Sequence, residues 1–330
     1  MSLRWLFPLF SLIGCAASPQ GGRINAGTAV CSADACQLSL SMKLEDLEGQ
    51  PVQTGLSPAQ FSFHGVELEG EGSYEVDDAL PVDLEAEELG GKLLVPLVVD
   101  QSGSMEDNDP DNLRLAAAES TAEALLAGAP ARVALFSFPR TQYLGEFSDS
   151  DLHVDYTDDS EALTAAVESL AGAEGGGTPL YDSLLEVVEH QSAAQEEEED
   201  RVVIVLTDGR DSDSSHRMAD VVALAEEEEV RIYVAGLGEN VDFEELAALA
   251  AGTRGAFVPA SDPERLEQTL TGLADAVYGN VTLDAEILLS EDSDPLEVGL
   301  YRFQGSLDYR SQFTMELDLE VYVGAIEETP

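Results

Sequence analysis

The sequence predicts a doubly wound, Rossmann-like α/β domain, with a small β-sandwich beside it built from both ends of the chain. Three observations carry this reading. In the middle of the chain, short apolar runs rich in β-branched residues alternate with stretches of helical spacing. The runs are "KLLVPLVVD" (92–100), "RVALFSF" (132–138), "RVVIVLTD" (201–208), "RIYVAGLG" (231–238) and "GAFVPA" (255–260). Apolar strands that alternate with helices require a mostly parallel sheet covered on both faces. On either side the pattern changes to a period of two, which marks half-buried strands. With 330 residues, there is enough material for a large core and a smaller one.

The elements follow in order. Arg4 and "WLFPLFSLIG" (5–14) form a positive start and an apolar stretch too short to span a bilayer as a mature helix, so residues 1–15 read as a secretory signal. Its end, "LIGC", resembles the lipobox of bacterial lipoproteins, in which the cysteine, here Cys15, is lipidated and becomes the N-terminus. Cleavage near "AAS" (16–18), leaving a soluble exported protein, is the alternative. Ala16 rather than Asp at the next position suggests, by the sorting habit of such lipoproteins, an exported protein lipid-anchored to the cell envelope at the outer membrane. Residues 16–28 are small and polar and read as a linker.

Lipidation of Cys15 leaves Cys31 and Cys36, in "CSADAC", as the only pair, and in an oxidising compartment a local disulfide is the default. Two cysteines alone would make an incomplete metal site. Residues 29–90 lack helical periodicity and read as β; Leu38, Leu40, Met42 and Leu44 alternate with polar partners. The domain at 91–279 then carries the five runs above. Its helices are expected within 112–128, 158–172, 178–191, 219–229 and 263–279. Pro96 lies inside the first run, and proline is awkward in a central strand, so pairing is expected to begin at Leu97. From 280 to 330 the pattern is β again, through Val281, Leu283, Ala285 and Ile287, then Phe313 to Val323. The two flanking segments are expected to pair into one sandwich, with two separate appendages as the alternative.

The charge excludes a class of partner. Sixty-six Asp and Glu against 15 Lys and Arg give −51, which repels phosphate backbones, so no nucleic-acid partner is expected. The runs "EEEED" (196–200) and "EEEE" (226–229) read as solvated helix ends or loops.

The chemistry lies elsewhere. Ligands of open α/β sheets bind at the carboxyl ends of the strands, where the strand order reverses. Asp100 ends one apolar run and Asp208 ends another, which puts both carboxylates on that edge. Ser102 and Ser104 follow Asp100 at alternate positions. Thr178, after three glycines and before Pro179, would by itself be an ordinary helix cap. Together the five offer two carboxylates and three hydroxyls, hard oxygen ligands suited to Mg²⁺, Mn²⁺ or Ca²⁺ and poor for copper or structural zinc. Hydroxyls add coordination without charge, so the ion stays electrophilic and can take a carboxylate from a partner.

At these residues the chain resembles the von Willebrand factor type A domain with a metal-ion-dependent adhesion site. The pattern of that family is Asp-x-Ser-x-Ser, a Thr on a later loop and an Asp after the fourth strand. Asp100, Ser102, Ser104, Thr178 and Asp208 match it in full, and "GGGTPLYDSL" and "LTDGRD" resemble its bacterial members. The resemblance covers about 91–279. It implies a mostly parallel sheet of six strands with one antiparallel edge, and one divalent cation, Mg²⁺ ahead of Mn²⁺ or Ca²⁺.

Other clusters signify less. "DNDPDN" (107–112) lacks the glycine and the closing glutamate of a calcium loop and reads as a polar loop capping the next helix. Asp211 and Asp213 form a candidate auxiliary cation site. His64, His153, His190 and His216 lack zinc spacing. No nucleophile elbow, phosphate loop or dinucleotide fingerprint is present, so no catalytic residue is assigned and an enzyme is not expected. The expected function is an envelope-tethered lipoprotein that binds an acidic group of a protein partner through the ion. An assembly or scaffold factor with a structural metal is the alternative.

Overall fold

The computed structural model describes residues 19–31, 35–48, 52, 55–70, 72, 74–86, 92–128, 130–140, 147–196, 199–208, 210–237, 241–260, 281–290, 292–294, 296 and 299–323. Cys15, the signal and the helix expected at 263–279 lie outside them. The N-terminal segment supplies β1 (Gly21–Cys31), β2 (Ala35–Glu45), β3 (Phe61–Glu69) and β4 (Val76–Ala86). The middle supplies β5 (Lys92–Asp100), α1 (Met105–Asn108), α2 (Leu113–Gly128), β6 (Ala131–Phe138), β7 (Asp151–Thr157) and α3 (Ser160–Glu168). It continues with α4 (Leu180–Ala194), β8 (Glu199–Thr207), α5 (Met218–Glu227), β9 (Arg231–Leu237), α6 (Phe243–Gly252) and β10 (Phe257–Ala260). The C-terminal segment adds β11 (Val281–Leu289), β12 (Gly299–Tyr309) and β13 (Phe313–Val323).

The central sheet has the order β10-β9-β8-β5-β6-β7, parallel throughout except that β7 runs antiparallel to β6 at one edge. Both faces are covered, which is why its strands are apolar at nearly every position. Leu93, Val95, Leu97 and Val99 of β5 pack with Leu115 and Leu125 of α2 and Leu163 of α3. Val98 points the other way, into a core with Leu184 of α4, Val221 of α5 and Leu249 of α6. After β5 the chain adds β6 and β7 on one side, then returns to place β8 on the other. The order therefore reverses between β5 and β8.

Pro96 is paired, contrary to the expectation that pairing starts at Leu97. It lies opposite Ala134 of β6, and β5 pairs with β8 from Lys92 onward, with the register interrupted only between Leu94 and Leu97. The missing N–H is replaced by a side chain. The buried Gln191 of α4 donates its Nε2 to Leu94 O at 2.7 Å and to Val202 O at 3.2 Å. Val202 O is the acceptor a residue other than proline at 96 would bond in this parallel register.

The flanking segments form two antiparallel sheets, β1-β2-β11-β4 and β13-β12-β3. Leu38, Leu40 and Met42 of β2 and Ile287 of β11 share one core with Phe303 of β12 and Leu317 of β13. Because β11 inserts between β2 and β4, neither chain end completes a sheet alone, and the two make one sandwich. Most of the stretch expected as linker is strand: β1 pairs with β2 from Gly21 opposite Glu45 to Cys31 opposite Cys36. Its small residues serve close packing, since a Cβ on Gly27 would lie 2.7 Å from Cδ1 of Leu319. Cys31 and Cys36 are joined by a disulfide at the end of this hairpin.

Replacing Gln191 by Leu keeps the volume roughly constant but strips both carbonyls of their donor. Leaving a buried acceptor unpaired costs about 1–3 kcal/mol. Chemical denaturation of Gln191→Leu should show a loss of that size, and an unchanged midpoint would mean that the bridge across Pro96 contributes nothing.

Candidate metal centre

The site forms where the sheet order reverses. β5 ends at Asp100, fully buried, and the chain turns through Gln101–Ser104 into the short helix α1. The Asp100 carboxylate is held at both oxygens: Oδ1 accepts from Ser102 N at 2.7 Å and Oδ2 from Thr207 Oγ1, at the end of β8, at 2.6 Å. Ser102 Oγ lies 3.0 Å from Ser104 Oγ. Ser104 Oγ donates to Asp208 Oδ1 at 3.0 Å, and Asn108 Nδ2 of α1 donates to Asp208 Oδ2 at 2.8 Å. Asp100, Ser102, Ser104 and Asp208 thus share one hydrogen-bonded cluster. All are buried except Ser104, where the cluster meets solvent.

Thr178 arrives on the glycine loop between α3 and α4. Gly175 N donates to Gln101 O at 2.8 Å, and Gly103 N to Gly176 O at 3.2 Å, so this loop is bonded to the Asp100 loop at two points. Gly176 has φ +81°, the left-handed region that favours glycine. Thr178 is anchored by its backbone alone: its N–H donates to Ser212 Oγ and its carbonyl accepts from Ser212 N, each at 3.0 Å. The anchoring does not use the hydroxyl.

Burial and then the charge of Asp208 push the Asp100 carboxyl up to about 6, against the bonds from Ser102 and Thr207 that pull it down. Two carboxylates at a buried sheet edge repel one another, and a cation between them relieves both the repulsion and the lost hydration. Among the described residues no three His, Cys, Asp or Glu side chains are grouped as a metal site would need. The candidate set depends on its hydroxyls, a donor chemistry that fits a hard divalent cation. When bound, such an ion supplies an electrophilic position for an anionic ligand.

The other candidates disperse. His153 bonds Ser137, His190 bonds Asp155, His216 bonds Asp182 and His64 lies 3.3 Å from Asp308, four separate places. Asp109, in the polar loop, accepts from Leu113 N and Arg114 N and so caps α2. Asp211 accepts from Ser214 near the start of α4, whereas Asp213 packs against Gly177, its carboxylate filling the place a Cβ there would take. Three supporting residues escape the motif. Asn108 stands four positions after Ser104, one helical turn on and facing the same way. Thr207 adjoins Asp208 at a strand end. Ser212 carries no signal of its own beyond its acidic neighbours.

The von Willebrand factor type A domain model matches residues 95–272, more than half of the chain. The chain belongs to this family. Domains of the type A family are generally interaction modules rather than enzymes; they commonly hold a divalent cation and typically bind protein partners through it. Among solved structures, the chain is similar to a von Willebrand factor type A protein from Catenulispora acidiphila. The TM-score is 0.46 at 13% identity, covering 96% of this chain and 76% of that one. It is also similar to proximal thread matrix protein 1 of the mussel byssus, a protein with a zinc-occupied metal-ion-dependent adhesion site. Here the TM-score is 0.47 at 15% identity, over 58% of this chain and 49% of that one. This chain therefore spans about half the length of the mussel protein. A third similar structure is the ArnB paralog VWA2 from Sulfolobus acidocaldarius, with a TM-score of 0.41 at 15% identity, over 93% and 75% of the two chains. No curated protein matches the sequence.

The two carboxylates predict a reversal of stability. An asparagine at position 100 can accept from Ser102 N and donate to Thr207, so it fits the site while removing one charge. In chelator, Asp100→Asn should melt at or above the wild type. With Mg²⁺ at a hundredfold excess over its dissociation constant, the wild type should gain about 2.7 kcal/mol and the variant much less. Calorimetric scans in which the variant melts lower by the same margin in both conditions would make Asp100 a structural residue only.

Proposed function

We propose that this chain is an envelope-tethered binding protein whose type A domain grips an acidic group of a protein partner. The grip runs through one divalent cation held by Asp100, Ser102, Ser104, Thr178 and Asp208. The observation that carries the proposal is the cluster itself. Two buried carboxylates converge with two serine hydroxyls at the reversal of the sheet, and the cluster meets solvent at Ser104. With hydroxyls as its remaining ligands, the ion keeps enough positive character to bind an incoming carboxylate. Mg²⁺ suits this site best, because it takes one or two protein carboxylates and retains waters that a ligand can replace. Mn²⁺ and Ca²⁺ take the same kind of ligand.

A hydrolytic role would need a general base beside the ion. The four histidines are engaged elsewhere, and the carboxylates of the cluster are assigned to the metal. The net charge of −51 further constrains the partner. Long-range repulsion slows the approach of an acidic surface, so the partner presents its carboxylate from a surface that is neutral or basic overall. Attachment to the envelope is assigned to lipid on Cys15; no described helix is long and apolar enough to cross a membrane.

Two experiments test the proposal. Purified protein should retain a partner from native envelopes in Mg²⁺ and release it in EDTA, whereas Thr178→Ala and Asp208→Ala should fold normally and retain none. Thr178→Ala is the cleaner variant, since the backbone bonds to Ser212 survive it. Retention indifferent to chelator and to both changes would point to a scaffold. Separately, Cys15→Ser should move the protein out of the membrane fraction; a mature chain that begins beyond residue 16 and lacks acyl groups would refute the tether.

A further inference from the structure

The loops of the site are braced from beneath by one buried cation. We propose that Arg114 is a positioning residue of the metal centre: it sets the Asp100 and Thr178 loops against each other and so governs cation affinity. The proposal rests on the metal-site reading above.

Arg114 is the second residue of α2 and is fully buried. A buried arginine on a helix otherwise rich in alanine and leucine needs an acceptor for every donor. It has them. Nε donates to Asp100 O at 3.2 Å; Nη1 to Asp109 Oδ2 at 2.8 Å and Asn112 Oδ1 at 3.1 Å; Nη2 to Gln101 Oε1 at 3.0 Å and Glu174 Oε1 at 2.6 Å. These acceptors lie on three segments: the end of β5, the turn before α2 and the loop leading to Thr178. Only a planar fork with five donors reaches all three at once; an ammonium has three donors on a point.

The brace follows a seam already marked by backbone bonds, from Gly175 N to Gln101 O and from Gly103 N to Gly176 O. On one side of that seam Asp100 closes β5 and Ser102 and Ser104 follow in the turn; on the other Thr178 lies in the glycine loop, so three of the four ligands lie outside regular structure. Their mutual placement therefore depends on the seam. Groups that orient metal ligands in this way typically change metal affinity by about ten- to a hundredfold when removed.

Charge makes the sign of the effect decisive. The guanidinium faces two carboxylates, Asp109 and Glu174. Removing the positive charge leaves both negative, which by electrostatics alone would draw a metal cation more strongly. A positioning role predicts the opposite. A fall in melting temperature does not distinguish the two, because breaking a buried pair destabilises the fold in either case.

The test titrates the full chain with Mn²⁺ and Mg²⁺ by calorimetry, below the melting point and in about 1 M KCl. That salt screens the attraction of the acidic surface for the ion to within about 3 Å; the buried charges beside Arg114 are controlled by the choice of variants. Arg114→Gln and Arg114→Lys should both weaken binding about tenfold or more. The lysine variant is included because it retains the charge and loses the fork. Affinity unchanged or tighter in Arg114→Gln, or fully kept in Arg114→Lys, would overturn the proposal. If neither variant folds, Glu174→Ala decides, since it cuts the brace on the Thr178 side: a tenfold loss supports positioning and unchanged affinity overturns it. A wild-type chain that takes up neither ion refutes the site reading itself, and this inference with it.

Discussion

The carboxylate of Asp100 is the point on which the site depends. It ends β5 at the place where the sheet order reverses, beside the end of β8, so Asp208 is brought next to it by the topology. Two strands that neighbour one another in a parallel sheet point their carboxyl ends the same way. Any acidic residue at each end must then share one small volume. The protein holds Asp100 with an amide from Ser102 and a hydroxyl from Thr207, both of which favour the charged form, yet burial and Asp208 outweigh them. The arrangement is poised for a cation in a way that neither aspartate alone would be.

Everything around this pair works to fix geometry at loops that lack regular structure. Gly176 takes the left-handed turn of the Thr178 loop, which lies along the Asp100 loop with two backbone bonds between them. Ser212 fixes Thr178 through main-chain atoms, and Asn108 fixes Asp208 from α1. The same strategy operates inside the sheet, where Gln191 supplies the donor to Val202 O that Pro96 lacks and bonds Leu94 O beside it. Asn108 and Gln191 do this from helices and Ser212 from a loop, each satisfying backbone or carboxylate groups at a place where the strand ladder or the turn cannot.

Much of this was legible in the sequence. Continuous apolar runs separated by helical spacing identify a doubly covered parallel sheet, because only burial on both faces removes the polar alternation. Asp100, Ser102, Ser104 and Asp208 were legible for the same reason: polar residues at the ends of such runs can only emerge at the sheet edge. Thr178 needed the family pattern, since a threonine before a proline is an ordinary helix start. What stayed hidden depends on partners far apart in sequence. β1 looks like a linker because its small polar residues pack by close approach rather than by apolar alternation. Pro96 looks like a strand boundary because its compensating residue, Gln191, lies on a distant helix. Arg114 is visible as a lone cation, but its acceptors on three loops are not.

The composition and the site bear on each other. In a chain with 66 acidic residues, a cation site could have been built from carboxylates alone, and it would have bound its ion more tightly. Such a site would also surround the ion with more negative charge than it carries, and an approaching anion would then be repelled. Spending three of five positions on hydroxyls keeps the ligand charge at two, equal to that of a divalent ion, within a protein whose surface is already strongly negative. On the proposed reading, an incoming carboxylate would have to overcome that surface, and an ion whose charge is balanced but not exceeded, with one position open, would supply the local attraction to do so. On that reading the acidic exterior would repel anions at long range while the ion would bind them at contact, and the difference between the two ranges would select partners that present one carboxylate on an otherwise uncharged or basic face.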